Sequence, residues 1–206
     1  MTIALLCVDL VNDCVDEKGK LSEGFVEFNK KHETLQRIAR VQEHFREQGG
    51  LVIHTRTVFS PNHFELKPIS PFFKEVKAKN ALILGEWGTE FPEEVAPRKG
   101  EAVINKHRFG PFYRTRLEIV LRAQGVKELY IVGLSTLGSV AQGAMEAQDG
   151  DFETVVIKDC CLAKSEEQHQ KGLDFINEMA EVKDFNEIAL RITEYSDEGM
   201  RESSLS

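Results

Sequence analysis

Three short apolar runs each stop at a residue able to do chemistry, and this repetition restricts the chain to few architectures. Ile3-Ala4-Leu5-Leu6-Cys7-Val8 stops at Asp9, and Ala102-Val103-Ile104-Asn105 stops at Lys106. Leu129-Tyr130-Ile131-Val132 passes through Gly133-Leu134-Ser135-Thr136-Leu137-Gly138 to Ser139. Apolar runs without polar alternation suit strands buried on both faces, as in a parallel sheet covered by helices. Between the runs the spacing turns helical. Phe28, Leu35, Ile38, Ala39, Val41 and Phe45 recur on one face and end at Gly49-Gly50, before a second strand at Leu51-Val52-Ile53. The rhythm resumes with strand 102–105, helix 115–124, strand 128–132, helix 139–149, strand 154–158 and helix 166–181, and a last strand is expected near Ile188-Ala189-Leu190. Alternating strands and helices predict a three-layer α/β/α fold with right-handed crossovers. An acid, a base partner and a helix-start residue, each just past a strand, form a site at the strands' carboxyl ends.

Two stretches break the pattern. Residues 12–23 read as a polar connector, and 57–98, with Pro61, Pro68, Pro71, Pro92 and Pro97, read as an irregular insertion. So long an insertion in a compact domain is expected to carry a binding site or a subunit contact. At 206 residues the chain suits a single domain over 1–195, with a disordered Ser- and Glu-rich tail at 196–206. A net charge of −8 provides no basic stripe for nucleic acid, and no apolar run approaches the ~20 residues of a membrane span. Cys7, Cys14, Cys160 and Cys161 form no CxxC pattern, and reduced thiols in a cytoplasmic protein are expected.

The motifs resemble those of the isochorismatase-like hydrolases, part of the cysteine hydrolase superfamily. Ala4-Leu5-Leu6-Cys7-Val8-Asp9-Leu10-Val11-Asn12-Asp13 is similar to that family's first strand. Lys106-His107-Arg108-Phe109-Gly110-Pro111-Phe112-Tyr113-Arg114-Thr115-Arg116-Leu117 resembles its Lys-x-Arg block. Gly133-Leu134-Ser135-Thr136 through Ala147 is similar to its turn into the nucleophile helix, and Asp159-Cys160-Cys161 with His169 to its late strand and helix. The resemblance implies a six-stranded, mostly parallel Rossmann-like sheet in the order 3-2-1-4-5-6. It implies a homodimer or homotetramer acting on a small molecule, and a cis peptide at Leu134–Ser135. It also implies a triad of aspartate, lysine and cysteine that hydrolyses amides through a thioester. By position Asp9 is the acid or base, Lys106 its charge partner, and residue 139 the nucleophile, with the amides of Ser135 and Ser139 as an oxyanion hole.

Position 139 is a serine, however, and a serine hydroxyl ionises far less readily than a thiol at a helix start beside a cation. Thr136-Leu137-Gly138-Ser139-Val140 resembles a branch of the family in which the cysteine is absent, as do Gly88-Thr89-Glu90 and the His107-Arg108 pair. Three readings stay open. The first is a hydrolase that uses Asp9 and Lys106 without a thiol, on a vinyl ether or another acid-labile bond. The second is a cysteine amidase for a small amide or ureide in which Ser139 stands for the nucleophile. The third is a catalytically silent relative that binds a metabolite or a partner.

By position Cys14, Trp87, Arg108 and Phe112 are candidate pocket residues: Arg108 to pair with a carboxylate, Trp87 to stack on a planar substrate. No cofactor is expected, and no metal. Thr57 and Phe59 occupy the positions of the metal ligands in the family's nicotinamidases, and a lone His63 builds no zinc site. Structural roles remain open to each residue: Asp9 satisfying strand-end amides, Lys106 solvated at a loop start, Ser139 capping a helix, and Cys14, Trp87, Phe112 and His169 in the core.

Overall fold

The computed structural model describes residues 2–193. In chain order the elements are β1 (Thr2–Val8), α1 (Asn12–Val15), α2 (Phe25–His32), α3 (Thr34–Glu47), β2 (Leu51–Thr57), α4 (Pro71–Ala78), β3 (Ala102–Lys106), α5 (Leu117–Ala123), β4 (Val126–Leu134), α6 (Ala141–Asp149), β5 (Glu153–Leu162), α7 (Glu166–Asn177) and β6 (Glu181–Lys183). The strands form one sheet in the order β3-β2-β1-β4-β5-β6, every adjacent pair parallel. This is the order the resemblance implies.

The period of two along β1 sorts its side chains between two cores. Ile3, Leu5 and Cys7 join one with Ile38, Val41 and Phe45 of α3. Ala4, Leu6 and Val8 join the other with Leu117 and Leu121 of α5, Ala141, Ala144 and Ala147 of α6, and Ile176 of α7. Each fully buried Val, Leu, Ile or Phe side chain among them contributes about 1.5–3 kcal/mol. With both faces covered the central strand carries no charged or amide side chain from Ile3 to Val8, and Asp9, the next residue, falls where the chain leaves the sheet.

Several expectations need correction. Ile188-Ala189-Leu190 is not a strand: residues 185–193 are helical, and Ile188 and Ile192, one turn apart, are both buried. The sheet ends instead with β6. Residues 12–23 contain the short helix α1, and the 57–98 insertion contains α4, which starts at Pro71 behind Ser70, whose hydroxyl accepts from the Phe73 amide at 3.3 Å. Ser139 is not a helix cap. Residues 136–140 form a wide turn, with the Val140 amide donating to the Ser135 carbonyl at 3.2 Å, and α6 begins at Ala141. The expected tail at 196–206 lies outside the described residues.

Candidate active site

Asp9 sits where β1 parts from β2. Its backbone is left-handed (φ 56°), a conformation aspartate tolerates better than bulkier residues. Its amide still donates to the Thr55 carbonyl at 3.0 Å. The end of β2 then secures the carboxylate: Oδ1 accepts from the Thr57 amide at 2.7 Å and from the Thr57 hydroxyl at 3.1 Å. Lys106, the last residue of β3, is fully buried and brings Nζ to 2.7 Å from Asp9 Oδ2. Burying an ammonium is tolerable only when its protons are satisfied. Here Nζ also meets Thr57 Oγ1 at 2.7 Å, the carbonyls of Arg108 and Phe109 at 3.0 and 3.1 Å, and Ser139 Oγ at 3.4 Å. Lys106 therefore joins β1, β2, β3 and the turn after β4 at one point.

That turn holds Ser139 by close backbone packing. The Leu134–Ser135 peptide is cis. Gly133 has φ 120° and lies against β1 so closely that a Cβ would overlap the Val8 carbonyl. From the far side, Thr136 Oγ1 donates to the Leu162 carbonyl at 3.0 Å and lies 2.9 Å from His169 Nδ1. A hydroxyl has one proton, so with Thr136 committed to Leu162, the proton between it and His169 belongs to Nδ1. Burial lowers the His169 pKa, in keeping with a neutral ring. His169 thus supports the turn and does not face the cavity. Gly172, on the same helix, comes close enough that a Cβ would stand 2.7 Å from the Leu137 amide nitrogen.

Above the three polar groups is a cavity of about 180 Å³ at the carboxyl ends of the strands. Asp9, Thr57, Ser135 and Ser139 form its polar floor; Phe25, Phe72, Phe109 and Leu21 stand among its apolar walls; Arg108, Lys164 and Gln168 also line it. Of the pocket residues expected from sequence, Cys14 and Arg108 line this cavity; Trp87 and Phe112 do not. Trp87 is 45% exposed, and only its backbone is engaged near the site, its carbonyl accepting from the Asn12 side chain at 3.0 Å. Phe112 packs on Phe152 in the core on the α5–α6 side, ring centroids 6.0 Å apart. The aromatic wall comes instead from α2, α4 and the loop after β3. Lys164, unnoticed in the sequence, stands with Nζ 5.7 Å from the centre of the Phe25 ring and forms no ion pair with a described carboxylate.

The thiols are elsewhere or inert. Burial pushes the Cys7 thiol up to about 12 and raises Cys14, Cys160 and Cys161 well above the usual range. Asp9 and Asp13 raise Cys14 further, so the one thiol lining the cavity is held protonated. Among the described residues no three His, Cys, Asp or Glu side chains gather as a metal cluster. At the positions of interest the Thr57 hydroxyl is committed to Asp9 and Lys106, Phe59 is core, and His63 Nε2 meets the Ala81 carbonyl at 2.8 Å. These residues do not fit a bound metal.

Sheet order and cavity together define an open-sheet α/β protein whose candidate site lies at the strands' carboxyl ends. The isochorismatase domain model matches residues 3–187, and the chain belongs to the isochorismatase family. It is 32% identical over 132 residues to maleamate amidohydrolase of Pseudomonas putida, a match spanning 62% of this chain and 59% of that enzyme. With the ureidoacrylate amidohydrolase RutB of Caulobacter segnis it shares 25% identity over 191 residues, 87% of this chain and 77% of that one. In three dimensions it is similar to N-carbamoylsarcosine amidase from Thermoplasma acidophilum, with a TM-score of 0.70, 25% identity, and coverage of 89% of this chain and 96% of that one.

Proposed function

We propose that the chain is a hydrolase of a small amide or ureide bearing a carboxylate, working through Asp9 and Lys106 without a thiolate. The observation that carries this reading is the buried Lys106 ammonium in contact with both the Asp9 carboxylate and the Ser139 hydroxyl, two groups that line the cavity floor. Oδ1 of Asp9 is filled by Thr57, whereas Oδ2 takes one bond from Lys106 and keeps a lone pair for a proton. In the reaction Asp9 takes a proton from the attacking water, and the carbonyl carbon becomes tetrahedral. The developing oxyanion is received by the amides of Ser135 and Ser139. Asp9 then returns the proton to the leaving nitrogen. Lys106 stays beside Asp9 as its counter-charge before the first transfer and after the second, and orients the Ser139 hydroxyl.

The substrate class follows from the charges around the cavity. Asp9 and Lys106 offset each other, and the cations of Arg108 and Lys164 remain. Arg108 is already directed to the carbonyls of His107 and Glu65, at 2.5 and 3.4 Å, which leaves Lys164 to meet an anionic group on the substrate. Maleamate, ureidoacrylate and N-carbamoylsarcosine, named for the similar proteins, are carboxylates with a carbonyl–nitrogen bond to break.

Ammonia release from these three compounds tests the reading. Turnover that disappears in Asp9→Asn supports it. Turnover that survives Asp9→Asn overturns the site assignment, and binding without turnover in the unaltered chain identifies a silent metabolite binder. A second reading is favoured by the place of Ser139 Oγ, 3.4 Å from Lys106 Nζ, where a thiol would gain a cation beside it. If the site is built for cysteine, Ser139→Cys raises amide hydrolysis by several orders of magnitude. If it is built for water, that substitution gains little.

The same reading makes the protein a cytoplasmic homodimer or homotetramer joined through the 57–98 insertion, on which Phe64 is 93% and Ile69 73% exposed. Light scattering at micromolar concentration checks this, and a monomer there defeats it. No described helix is long and apolar enough to cross a membrane.

A further inference from the structure

Glu146, two turns along the helix that follows Ser139, touches neither the cavity nor any described cation, yet it is half-buried. A carboxylate removed from water without a counter-charge is costly unless its oxygens are filled. Here they are filled by one loop and by a neighbour on α6 itself. Oε2 accepts from the Phe112 amide at 2.9 Å, and the Tyr113 amide and the Gln142 side chain add to the set. The fit is close on both sides. A Cβ on Gly110 would overlap the Glu146 carboxylate, and a Cβ on Gly143 of α6 would stand 3.0 Å from Pro111 Cγ.

The opposite end of that loop holds the reactive lysine. The Arg108 and Phe109 carbonyls accept from Lys106 Nζ at 3.0 and 3.1 Å, and the next residues present their amides to Glu146. Segment 108–113 is therefore pinned between two charges: an ammonium on β3 holding its carbonyls, and a carboxylate on α6 holding its amides. The α6 helix itself continues from the turn that carries Ser135 and Ser139.

We infer that Glu146 is a positioning residue that sets the spacing between the Lys106 carbonyl cradle and the Ser139 turn. The effect on turnover rests on the hydrolase reading, whereas the effect on geometry does not. Removing Glu146 leaves buried amides unsatisfied and frees the loop to shift, which withdraws carbonyls from Lys106. A displacement of about 1 Å in a reacting constellation costs on the order of a hundredfold in rate.

The test uses crystal structures of the unaltered protein, Glu146→Ala and Glu146→Gln, together with turnover of maleamate. In Glu146→Ala the Phe109 carbonyl is expected to leave Lys106 Nζ by about 1 Å and kcat to fall by at least ~tenfold, with KM nearly unchanged. Glu146→Gln keeps an acceptor for the Phe112 amide and is expected to restore both. If Glu146→Ala does not fold, Gly110→Ala, which pushes the carboxylate off the loop from the other side, is expected to give the same displacement. A distance from Nζ to the Phe109 carbonyl that stays near 3.1 Å in Glu146→Ala, or in Gly110→Ala where Glu146→Ala does not fold, overturns the inference. So does a kcat loss that Gln fails to rescue. Failure of the hydrolase reading is read separately, from absent turnover in the unaltered protein or survival of turnover in Asp9→Asn, and the crystallographic distance then judges Glu146 alone.

Discussion

Lys106 Nζ lies 2.7 Å from Asp9 Oδ2 with its side chain fully buried, and each of its other polar contacts is also an oxygen. Removing one partner of such a pair strands the other. Lys106→Met, which keeps the volume and deletes the charge, is expected to destabilise the fold by about 3–5 kcal/mol, because Asp9 loses its counter-ion in a buried place. Thermal unfolding of Lys106→Met beside Asp9→Asn checks this. The asparagine variant keeps an oxygen for Lys106 and is expected to unfold closer to the unaltered chain while losing turnover by ~10²–10⁴.

Gly133 is a second place where one atom decides. With φ 120° and β1 packed against it, an added Cβ meets the Val8 carbonyl directly, so neither strand can yield without opening the sheet beside Asp9. Gly133→Ala is expected to cost more than ~3 kcal/mol, among the larger effects of a single substitution. A denaturation midpoint within error of the unaltered protein would count against the packing described here.

Glu101 links α3 to the β2–β3 edge of the sheet. Burial raises its pKa, but hydrogen bonds from His54 (3.2 Å) and Arg46 (2.7 and 3.1 Å) outweigh burial and hold it at about 2. A carboxyl depressed on folding contributes stability that is full above its unfolded value, near 4.5, and is lost as the pH falls toward 2. Acid unfolding followed across that window is expected to lose part of its pH dependence in Glu101→Gln.

His169 behaves in a related way with the other kind of group. Burial holds its folded pKa below the ordinary histidine value of 6.5, so the unfolded chain binds protons first and stability declines as the pH drops below 6.5. His169→Gln is expected to flatten that decline. His169→Ala, which removes the ring supporting Thr136, is expected to lower turnover as well as the melting temperature. A pH profile of stability identical to that of the unaltered protein would remove His169 from this role.

Asp9, Lys106 and Ser139 were legible in the sequence for one physical reason: each follows an apolar strand, and parallel strands bring their carboxyl ends together. The aromatic wall was not legible. A ring's residue type says nothing of the direction in which its backbone aims it, and Phe25 and Phe72 reach the cavity from helices remote in sequence, whereas Trp87 faces outward and Phe112 faces a core. Lys164 lay hidden between the end of β5 and Ser165, which caps α7, a place where a lysine looks like ordinary solvated surface. The error at 188–190 has a similar source. Three adjacent apolar residues suggested a strand, while the pair Ile188 and Ile192, four apart and both buried, carried the helical signal. At the other end of the error, β6 has one apolar residue, Val182, between charged neighbours, and nothing in so short a run marks it as sheet.

The four thiols are buried, burial raises each above the usual thiol range, and slow reaction with electrophiles is expected of them. An alkylating label should leave the native chain almost untouched, so a cysteine introduced at the rim or floor of the cavity would be the sole reactive handle on it. That silence makes the site addressable. Covalent probes of graded length and charge, attached one position at a time, could measure the dimensions of the chamber from inside and report which chemical groups its walls accept.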